Sequence, residues 1–368
     1  MRVFVVHKSE LQSIPPVISV IILLKRLKYD VAVIDEGINI SWKQKLDTMG
    51  VDYYEISRPC SWGTFINKLL SYVKFRLAVR KILKSRFCSN KDLLWVEGAY
   101  TVVSLRNILE QYKFVLQISE LHEQSKVQIW FLSKYINKAE RVFMPEYNRT
   151  FIYQAWFKLD QRPIVLPNKP YFLPRIDELN NLIPKYKSYV DLFKTKKVIL
   201  YQGWINKATR DMTPFVKTVS LLDDSYRLVM LGHADQESLN SYKKNYPSLV
   251  HIDFIPAPDY LLFTALSYIG VVTYNPDRLN HIFCAPNKIF EYSSFGKPII
   301  GNCLPGLDII TNYNCGYLVD FNNVEKIKSV IDEISSNYDM YSSNSRKMYK
   351  SVDNLETIKD ALQINEAS

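Results

Sequence analysis

A lysine and a glutamate lie three residues apart in the stretch APNKIFEYSSFGKPIIG, residues 285–301. Pro286 suits the first position of a helix, where free backbone N–H groups attract phosphate. Lys288 adds a positive charge to the same turn, which the helix dipole disfavours unless an anionic ligand compensates it. Glu291 falls on the same helix face, and its carboxylate can accept hydrogen bonds from the two vicinal hydroxyls of a ribose. The motif predicts a nucleoside diphosphate site, with a solvated ion pair between Lys288 and Glu291 as the alternative.

The elements around this motif alternate between strand and helix. Apolar runs of strand length occupy residues 1–6, 29–35 and 92–98 among others, and the pattern begins again at residues 196–203. Because helix-length segments separate these runs, the sequence predicts parallel sheets with helices on both faces. Three prolines between residues 167 and 179 interrupt the pattern and mark a domain boundary. The predicted fold class is α/β, with two Rossmann-like doubly wound domains facing each other across a cleft. The predicted domains are residues 1–168, residues 169–352, and a C-terminal helix within residues 353–368 that packs back on the N-terminal domain.

Composition and motif content exclude several classes of protein. The cysteines at positions 60, 88, 284, 303 and 315 stand singly, which argues against a zinc site or a disulfide scaffold and favours a reducing cytoplasm. The apolar run at residues 17–24 is too short to span a membrane. No GxGxxG follows the first strand, which disfavours a dinucleotide-dependent dehydrogenase. A nucleic-acid-binding role, suggested by charge alone, lacks a recognisable groove-reading module.

The positive charge of the chain is concentrated in its first half. Residues 1–165 hold 25 Lys and Arg against 15 Asp and Glu, so the whole net charge of +10 lies there. Residues 67–86 carry seven Lys and Arg and no acid, interleaved with apolar residues. Two interpretations stay open: a helix that covers the core, or a basic amphipathic helix that lies on anionic lipid. The second interpretation assigns a membrane or acceptor surface to Lys74, Arg76, Arg80, Lys81 and Lys84.

Several stretches of the second half carry a family resemblance: LYQGWINKATRD, LVMLGHAD, IDFIPAPDYLLFTALSYIGVVTYNP, APNKIFEYSSFGKPIIG and NCGYLVDF. Their order and spacing resemble the donor-binding domain of GT-B glycosyltransferases of the family 4 type. The resemblance implies that Glu291 binds the ribose of a sugar nucleotide and that Arg210 helps neutralise its phosphates. The loop at residues 255–258 corresponds to the segment that contacts the base. The donor-binding residues implied by the resemblance are Gly203, Arg210, Ile255, Pro256, Asn287, Lys288, Ile289 and Glu291.

One position departs from the family pattern. Family 4 enzymes commonly carry a first glutamate eight residues before the second, and this chain has Phe283 at that position. The sequence therefore leaves open which base and which sugar are bound, and whether the anomeric configuration is retained or inverted.

The first domain carries a weaker resemblance in QISELHEQS, residues 117–125, which follows an apolar strand. Related enzymes place a histidine at such a strand end facing the donor, which implies catalytic roles for His122 and Glu123. Glu120 is an acidic group at the same strand end and could hold an acceptor hydroxyl or act as a base. A histidine there would hydrogen-bond the transferring sugar or its phosphate and stabilise developing charge. The alternatives are a loop histidine satisfied by the backbone and structural glutamates, and the same choice applies to Glu97 at the end of LLWVEG.

The resemblance implies a metal-independent glycosyltransferase that needs no cofactor. Its donor would be a nucleotide-diphosphate sugar, and its acceptor a saccharide or lipid-linked saccharide of cell-envelope or capsular polysaccharide synthesis. The expected partners are these substrates and an anionic membrane surface, with no nucleic acid. The expected location is the cytoplasm, with peripheral binding to the inner face of the plasma membrane. Two alternatives stay open: a GT-B nucleotide-sugar epimerase, and a non-catalytic sugar-nucleotide-binding partner of another transferase.

Overall fold

The computed structural model describes residues 1–57 and 65–363, and over these ranges the chain divides into two compact units. The first unit is Met1–Phe172 with the segment from Asp353 onward, and the second is Leu173–Val352. The boundary after Phe172 lies beyond the predicted residue 168 because residues 169–172 pack on the first unit. The backbone N–H of Tyr171 donates to Oγ of Ser19 at 3.2 Å, and the ring of Phe172 meets Trp42 edge-on at 5.3 Å between centroids. Cys60 and residues 364–368 lie outside the described residues.

The first unit is built on a parallel sheet in the order β3-β2-β1-β4-β5-β6-β7. Its apolar strands are buried on both faces, as is usual where helices cover a parallel sheet. The predicted strands are present, but the edge strand Asp52–Glu55 was missed because its sequence, DYYE, has few buried apolar residues. The strands are β1 Arg2–His7, β2 Asp30–Asp35, β3 Asp52–Glu55, β4 Leu93–Glu97, β5 Phe114–Gln117, β6 Val142–Met144 and β7 Ile164–Val165. The helices are α1 Pro15–Arg26, α2 Ile40–Thr48, α3 Phe65–Arg86, α4 Ala99–Leu105, α5 Lys126–Tyr135 and α6 Tyr147–Phe157.

The second unit repeats this architecture with a parallel sheet in the order β10-β9-β8-β11-β12-β13. The strand order reverses direction beside β8, so the carboxyl ends of β8 and β11 open a crevice of the kind in which α/β proteins bind ligands. The strands are β8 Lys197–Gln202, β9 Tyr226–Leu231, β10 Val250–Ile252, β11 Ile269–Val272, β12 Ile299–Asn302 and β13 Gly316–Val319. The helices are α7 Ile176–Asn180, α8 Lys187–Thr195, α9 Thr213–Val219, α10 Gln236–Asn245, α11 Leu261–Leu266, α12 Leu279–Ile282, α13 Asn287–Ser294, α14 Ile309–Asn312, α15 Val324–Ser336 and α16 Tyr338–Ser351.

The last described helix, α17 (Asn354–Gln363), returns to the first unit. Its side chains Ile358, Ala361 and Leu362 are buried in the same apolar cluster as α1 and the strands β1, β2 and β4. The side-chain amide of Asn354 donates to the carbonyl oxygen of Pro167 at 2.7 Å, and its backbone N–H donates to the hydroxyl of Tyr171 at 2.9 Å. The core of the first unit is therefore closed by residues from the far end of the chain.

Helix α3 combines a buried stripe with an exposed apolar stripe. Phe75, Val79 and Leu83 are buried against the sheet, so the prediction of a core-covering helix is correct for one face. Another face exposes apolar side chains, which are Leu69, Leu70, Val73 and Leu77. Exposed cations lie next to them, and these cations are Lys74, Arg80, Lys81 and Lys84. No helix within the described ranges is both long enough and apolar enough to cross a membrane.

Arg76 differs from the other cations assigned to the membrane or acceptor surface because it is partly buried, and its assignment stays a prediction. Its Nε donates to the carbonyl oxygen of Ser104 at 2.7 Å, which directs the guanidinium onto α4. Burial and the neighbouring charge of Arg106 lower the pKa of Arg76. Arg76 is close to the other cations in sequence, but its side chain packs against α4.

Candidate functional site

Glu291 is a buried carboxylate at the centre of the candidate site. It lies on α13 and is 6% exposed. Its Oε1 accepts a hydrogen bond from the hydroxyl of Tyr260 at 2.6 Å, and its Oε2 accepts one from the side-chain amide of Gln202 at 2.5 Å. The amide oxygen of Gln202 in turn accepts from Oγ1 of Thr264 at 2.8 Å, so the orientation of the carboxylate is supported by two layers of side chains. Each carboxylate oxygen has two acceptor positions, so a further donor can still bind each of them.

Burial raises the pKa of Glu291, while the nearby Lys288 and the hydrogen bonds from Tyr260 and Gln202 act in the opposite direction. The solvated ion pair considered from the sequence is not formed. Among the described residues no salt bridge joins Lys288 to Glu291, and the carboxylate bonds to Tyr260 and Gln202 instead. The structure thus separates the two charges that the sequence placed side by side.

Helix α13 begins at Asn287, one residue later than predicted. Pro286 is the N-cap, with extended backbone angles φ −74° and ψ 133°, rather than the first helical residue. No side chain caps this end, and no acidic residue lies in the first turn. A helix start without a side-chain cap leaves its backbone N–H groups to another acceptor, and the helix dipole favours an anion there.

Lys288 and Arg210 bring two positive charges to this helix start. A Cβ atom added to Gly203 would lie 3.0 Å from Cε and 3.3 Å from Nζ of Lys288, so the lysine lies directly over the end of β8. The guanidinium of Arg210 stacks over the ring of Tyr274 at 4.7 Å. Within the described residues neither cation has an acidic partner. Burial and the charge of Arg210 lower the pKa of Lys288, because the two cations repel each other, and an anionic ligand would relieve this repulsion.

Two glycines allow the strand ends to approach this closely. Gly203 and Gly232 follow β8 and β9 with φ of +138° and +135°, values that other residues rarely adopt. A Cβ atom on Gly232 would lie 2.2 Å from the carbonyl oxygen of Gly203, which is too close for two atoms that are not bonded to each other. The sequence indicated Gly203 as a site residue, whereas Gly232 was recognised as part of a strand end alone.

The remaining predicted donor-binding residues differ in what their side chains can do. Ile255 and Ile289 are both buried in one apolar cluster of the second unit, so a ligand can meet these positions through the backbone. Pro256 is exposed in the loop after β10, and Asn287 is partly exposed at the start of α13. The structure therefore brings Asn287, Lys288 and Glu291 together on α13. In the loop at residues 255–258, which the resemblance implies contacts the base, the buried side chain of Ile255 leaves the backbone for such a contact.

The loop between β11 and α13 contributes residues that the sequence analysis missed. Nδ1 of His281 lies 2.6 Å from Oδ1 of Asp277, and the rings of His281 and Tyr274 are 5.5 Å apart. Asp277 and His281 are four residues apart, a spacing that can bring two side chains together on one helical turn. This spacing was the available signal. The helix α12, on which His281 lies, has only four residues and is too short to show a helical period in the sequence.

In the first unit, His122 lies in the loop after β5. Its backbone has φ +60°, a left-handed conformation that is uncommon for a residue with a side chain. Burial lowers the pKa of His122, while the charges of Glu120 and Glu97 act to raise it. Glu120 is exposed and Glu123 is partly buried. These side chains therefore share one loop at the carboxyl edge of the sheet, and their catalytic roles stay predictions.

Buried polar side chains lie at the same edge, and of these Glu97 was considered from the sequence, whereas His7 and Asp35 were missed. His7 and Glu97 are register partners on β1 and β4, and Nδ1 of His7 lies 2.7 Å from Oε2 of Glu97. Oγ of Ser119 donates to Oε1 of Glu97 at 2.9 Å. Asp35, at the end of β2, is completely buried and accepts a hydrogen bond from the hydroxyl of Tyr53 at 2.6 Å. Within the described residues, no group of three or more His, Cys, Asp or Glu side chains is placed to hold a metal ion.

The chain matches solved structures over its whole length. HepE from Anabaena, in complex with UDP and glucose, superposes with a TM-score of 0.71 at 12% sequence identity, covering 100% of this chain and 99% of that one. Sucrose-phosphate synthase from Thermosynechococcus elongatus superposes with a TM-score of 0.70 at 13% identity, covering 100% and 98%. WaaG, a glycosyltransferase involved in lipopolysaccharide biosynthesis, superposes with a TM-score of 0.63 at 11% identity, covering 99% of each chain.

These likenesses define the class of fold. The predicted α/β class with Rossmann-like units is confirmed, and the fold is the GT-B fold of nucleotide-sugar-dependent glycosyltransferases. No model of a known protein family matches the chain, and no curated protein sequence matches it.

Proposed function

We propose that this protein is a glycosyltransferase that takes a sugar from a nucleotide-diphosphate sugar bound by the second unit. The observation that carries the proposal is the pairing of Lys288 and Arg210, which lack an acidic partner among the described residues, with the uncapped start of α13. One turn further along α13, Glu291 presents a carboxylate held by Tyr260 and Gln202. This arrangement suits a diphosphate attached to a ribose.

The chemistry follows from where charge develops during transfer. As the bond between the sugar and the diphosphate breaks, negative charge grows on the departing phosphate oxygens. Lys288, Arg210 and the backbone N–H groups at the start of α13 stabilise that charge. The repulsion between Lys288 and Arg210 in the free protein is relieved when the anion binds. The roles of His122, Glu123 and Glu120 and the cleft between the units stay predictions.

The acceptor in this proposal is a saccharide or lipid-linked saccharide of envelope or capsular polysaccharide synthesis. The proposal draws support from WaaG, which is involved in lipopolysaccharide biosynthesis, and from the donor ligands in HepE. The exposed leucines and cations of α3 suit a peripheral site on the inner face of the plasma membrane. Independence from a metal ion is part of the proposal, and a chelator of divalent cations should leave transferase activity unchanged.

A panel of UDP-, GDP-, dTDP- and CMP-sugars tests the donor site directly. At 100 times its dissociation constant, the donor should stabilise the folded state by about 2.7 kcal/mol, which thermal unfolding detects. Glu291→Ala should weaken binding of that donor by about 2–4 kcal/mol, because charge-assisted hydrogen bonds to the ribose are lost. A wild-type protein that binds no member of the panel would contradict the proposal.

Turnover separates the enzyme from its alternatives. Slow hydrolysis of the bound donor by the purified protein, with release of free sugar, is expected of a transferase without its acceptor. Binding with neither hydrolysis nor transfer would favour a non-catalytic partner, and conversion of the donor to an epimeric nucleotide sugar would favour an epimerase.

A further inference from the structure

The loop between β11 and α13 contains a buried histidine held by a carboxylate. His281 is 8% exposed, and its Nδ1 lies 2.6 Å from Oδ1 of Asp277 and 3.2 Å from the carbonyl oxygen of Asn275. Within the described part of the chain, no hydrogen bond occupies Nε2 of His281. Because the carboxylate and the carbonyl hold the proton on Nδ1, Nε2 is the ring nitrogen that can accept a further hydrogen bond.

This loop is joined to the segment that carries Arg210. The backbone N–H of Asn275 donates to the carbonyl oxygen of Thr209 at 2.9 Å, and its side-chain oxygen accepts from the backbone N–H of Asp211 at 2.9 Å. The side-chain amide of Asn275 also donates to the carbonyl oxygen of Ala208 at 2.8 Å. Arg210 is thus bracketed on both sides in sequence by hydrogen bonds to the loop of His281, which hold the backbone at Arg210 against that loop.

The histidine and the cation share one aromatic neighbour. The ring of Tyr274 lies 4.7 Å from the guanidinium of Arg210 and 5.5 Å from the ring of His281. His281 therefore lies beside the place proposed for the diphosphate. The group next to a diphosphate in a sugar nucleotide, apart from the ribose that Glu291 would hold, is the sugar itself.

Hydrogen-bond chemistry decides which part of the donor the histidine meets. Asp277 also pairs with Arg278 at 3.4 Å, so its charge is partly balanced. An Nε2 that accepts cannot bond to an ionised phosphate oxygen, because that oxygen also only accepts. A sugar hydroxyl is neutral and can donate its proton to Nε2, while the carboxylate keeps the imidazole in place. The pair is therefore suited to a hydroxyl rather than to a phosphate oxygen.

We propose that His281, oriented by Asp277, binds a hydroxyl of the donor's sugar and so contributes to the choice of sugar. This inference rests on the proposed function and assigns a sugar-contacting residue on a loop for which the sequence offered none. His281 is a binding residue in this proposal, and Asp277 is a positioning residue that acts through it.

The test compares a nucleotide sugar with its nucleoside diphosphate by titration calorimetry. UDP-glucose and UDP are used first, and otherwise the donor that stabilises the wild-type protein most in the panel, with its diphosphate. His281→Ala should weaken binding of the nucleotide sugar about 3- to 10-fold, the value of one hydrogen bond, and leave binding of the diphosphate within about 2-fold. Asp277→Asn should also weaken binding of the nucleotide sugar relative to the diphosphate, but by less, because the imidazole remains and is held less firmly.

His233→Ala is the matched control, because His233 is an exposed histidine of the same unit that also lies near a carboxylate, 3.7 Å from Asp253. The ratio of the two affinities should be unchanged in this variant. An equal loss for both ligands in His281→Ala, or no loss, would overturn the inference while leaving the donor site intact. A wild-type protein that binds neither ligand of any pair would instead contradict the proposed function.

Discussion

At the scale of single residues, the candidate site depends on how one carboxylate is held. Glu291 is buried, and burial alone would favour its neutral form. The hydroxyl of Tyr260 and the amide of Gln202 donate to it, and Lys288 adds a favourable charge. These groups oppose the effect of burial and hold the carboxylate in one orientation, which is what a pair of ribose hydroxyls requires.

Tyr260→Phe tests this positioning without touching the carboxylate. Loss of the hydrogen bond at 2.6 Å should weaken binding of the donor nucleotide by about 0.5–1.5 kcal/mol, since Glu291 is then less constrained. Titration calorimetry measures the effect. Tyr186→Phe is the matched control, because its hydroxyl donates to Asp259 in the same region and not to Glu291. Equal effects of the two substitutions would argue against a positioning role for Tyr260.

Asp35 makes the stability of the first unit depend on pH. Burial raises the pKa of this carboxyl to about 7 from its ordinary value of 3.8, against the hydrogen bonds from Tyr53 and Gly37 and the charge of His7, with Glu55 adding to the rise. The folded state therefore binds the proton more tightly than the unfolded state does. Its contribution to stability is complete below about pH 4 and is lost as pH rises towards 7, at up to about 1.4 kcal/mol per pH unit.

Asp35→Asn should remove this loss, since an amide does not titrate. Urea unfolding followed from pH 4 to pH 8 should show the variant gaining stability relative to the wild type as pH rises, and the difference becoming constant above about pH 7. The comparison cancels the titration of other groups, because they are present in both proteins. Stability curves that run parallel over this range would show that Asp35 does not titrate there.

At the scale of elements, α3 has two apolar faces in different surroundings. Phe75, Val79 and Leu83 anchor it to the sheet, while Leu70 and Leu77 are 54% and 60% exposed. Exposed leucines on a basic helix are unfavourable in water, and a bilayer interface would cover them while the cations meet anionic headgroups.

Lys81→Glu with Lys84→Glu should release the protein from anionic vesicles. Each cation near such a surface contributes about 1 kcal/mol, so reversal of two charges should weaken binding at least about tenfold. Flotation with vesicles that contain or lack phosphatidylglycerol measures this. Lys243→Glu with Lys244→Glu on α10 is the control, because it changes the net charge equally on an exposed helix of the other unit. Identical flotation of both double variants would mean that α3 is not the membrane surface.

At the scale of the whole molecule, each unit has its own apolar core, and the chain returns to the first unit at its end. Ile358 is completely buried there and contacts the cluster of α1 and the central strands. Residues from opposite ends of the sequence therefore unfold together, although the second unit lies between them in sequence.

Ile358→Ala should destabilise the first unit by about 2–4 kcal/mol through the cavity that it leaves. Hydrogen exchange should show faster exchange in peptides of the first unit and unchanged exchange in the core strands of the second. Lys359→Ala is the control, because its ion pair with Glu356 is exposed to solvent and stabilises the fold little. Equal changes in both units, or none, would show that α17 does not stabilise the first unit selectively.

The elements of the fold were predictable because their signals are local. Strand-length apolar runs, the helix of NKIFEY and the glycine after β8 can each be recognised within a few residues of sequence. The edge strand β3 was missed since edge strands bury little. The contact of Arg76 with α4 was not predicted, because helical period alone does not show which face a neighbouring helix covers.

By itself, the sequence determined the alternation of strands and helices, the motif with Lys288 and Glu291, and the excess of positive charge in the first half. Tertiary structure alone decided that Glu291 bonds to Tyr260 and Gln202 instead of Lys288, and that Arg210 stacks on Tyr274. The physical reason is that these contacts join residues separated by tens of positions, and such pairs come together when parallel strands align their carboxyl ends at one edge.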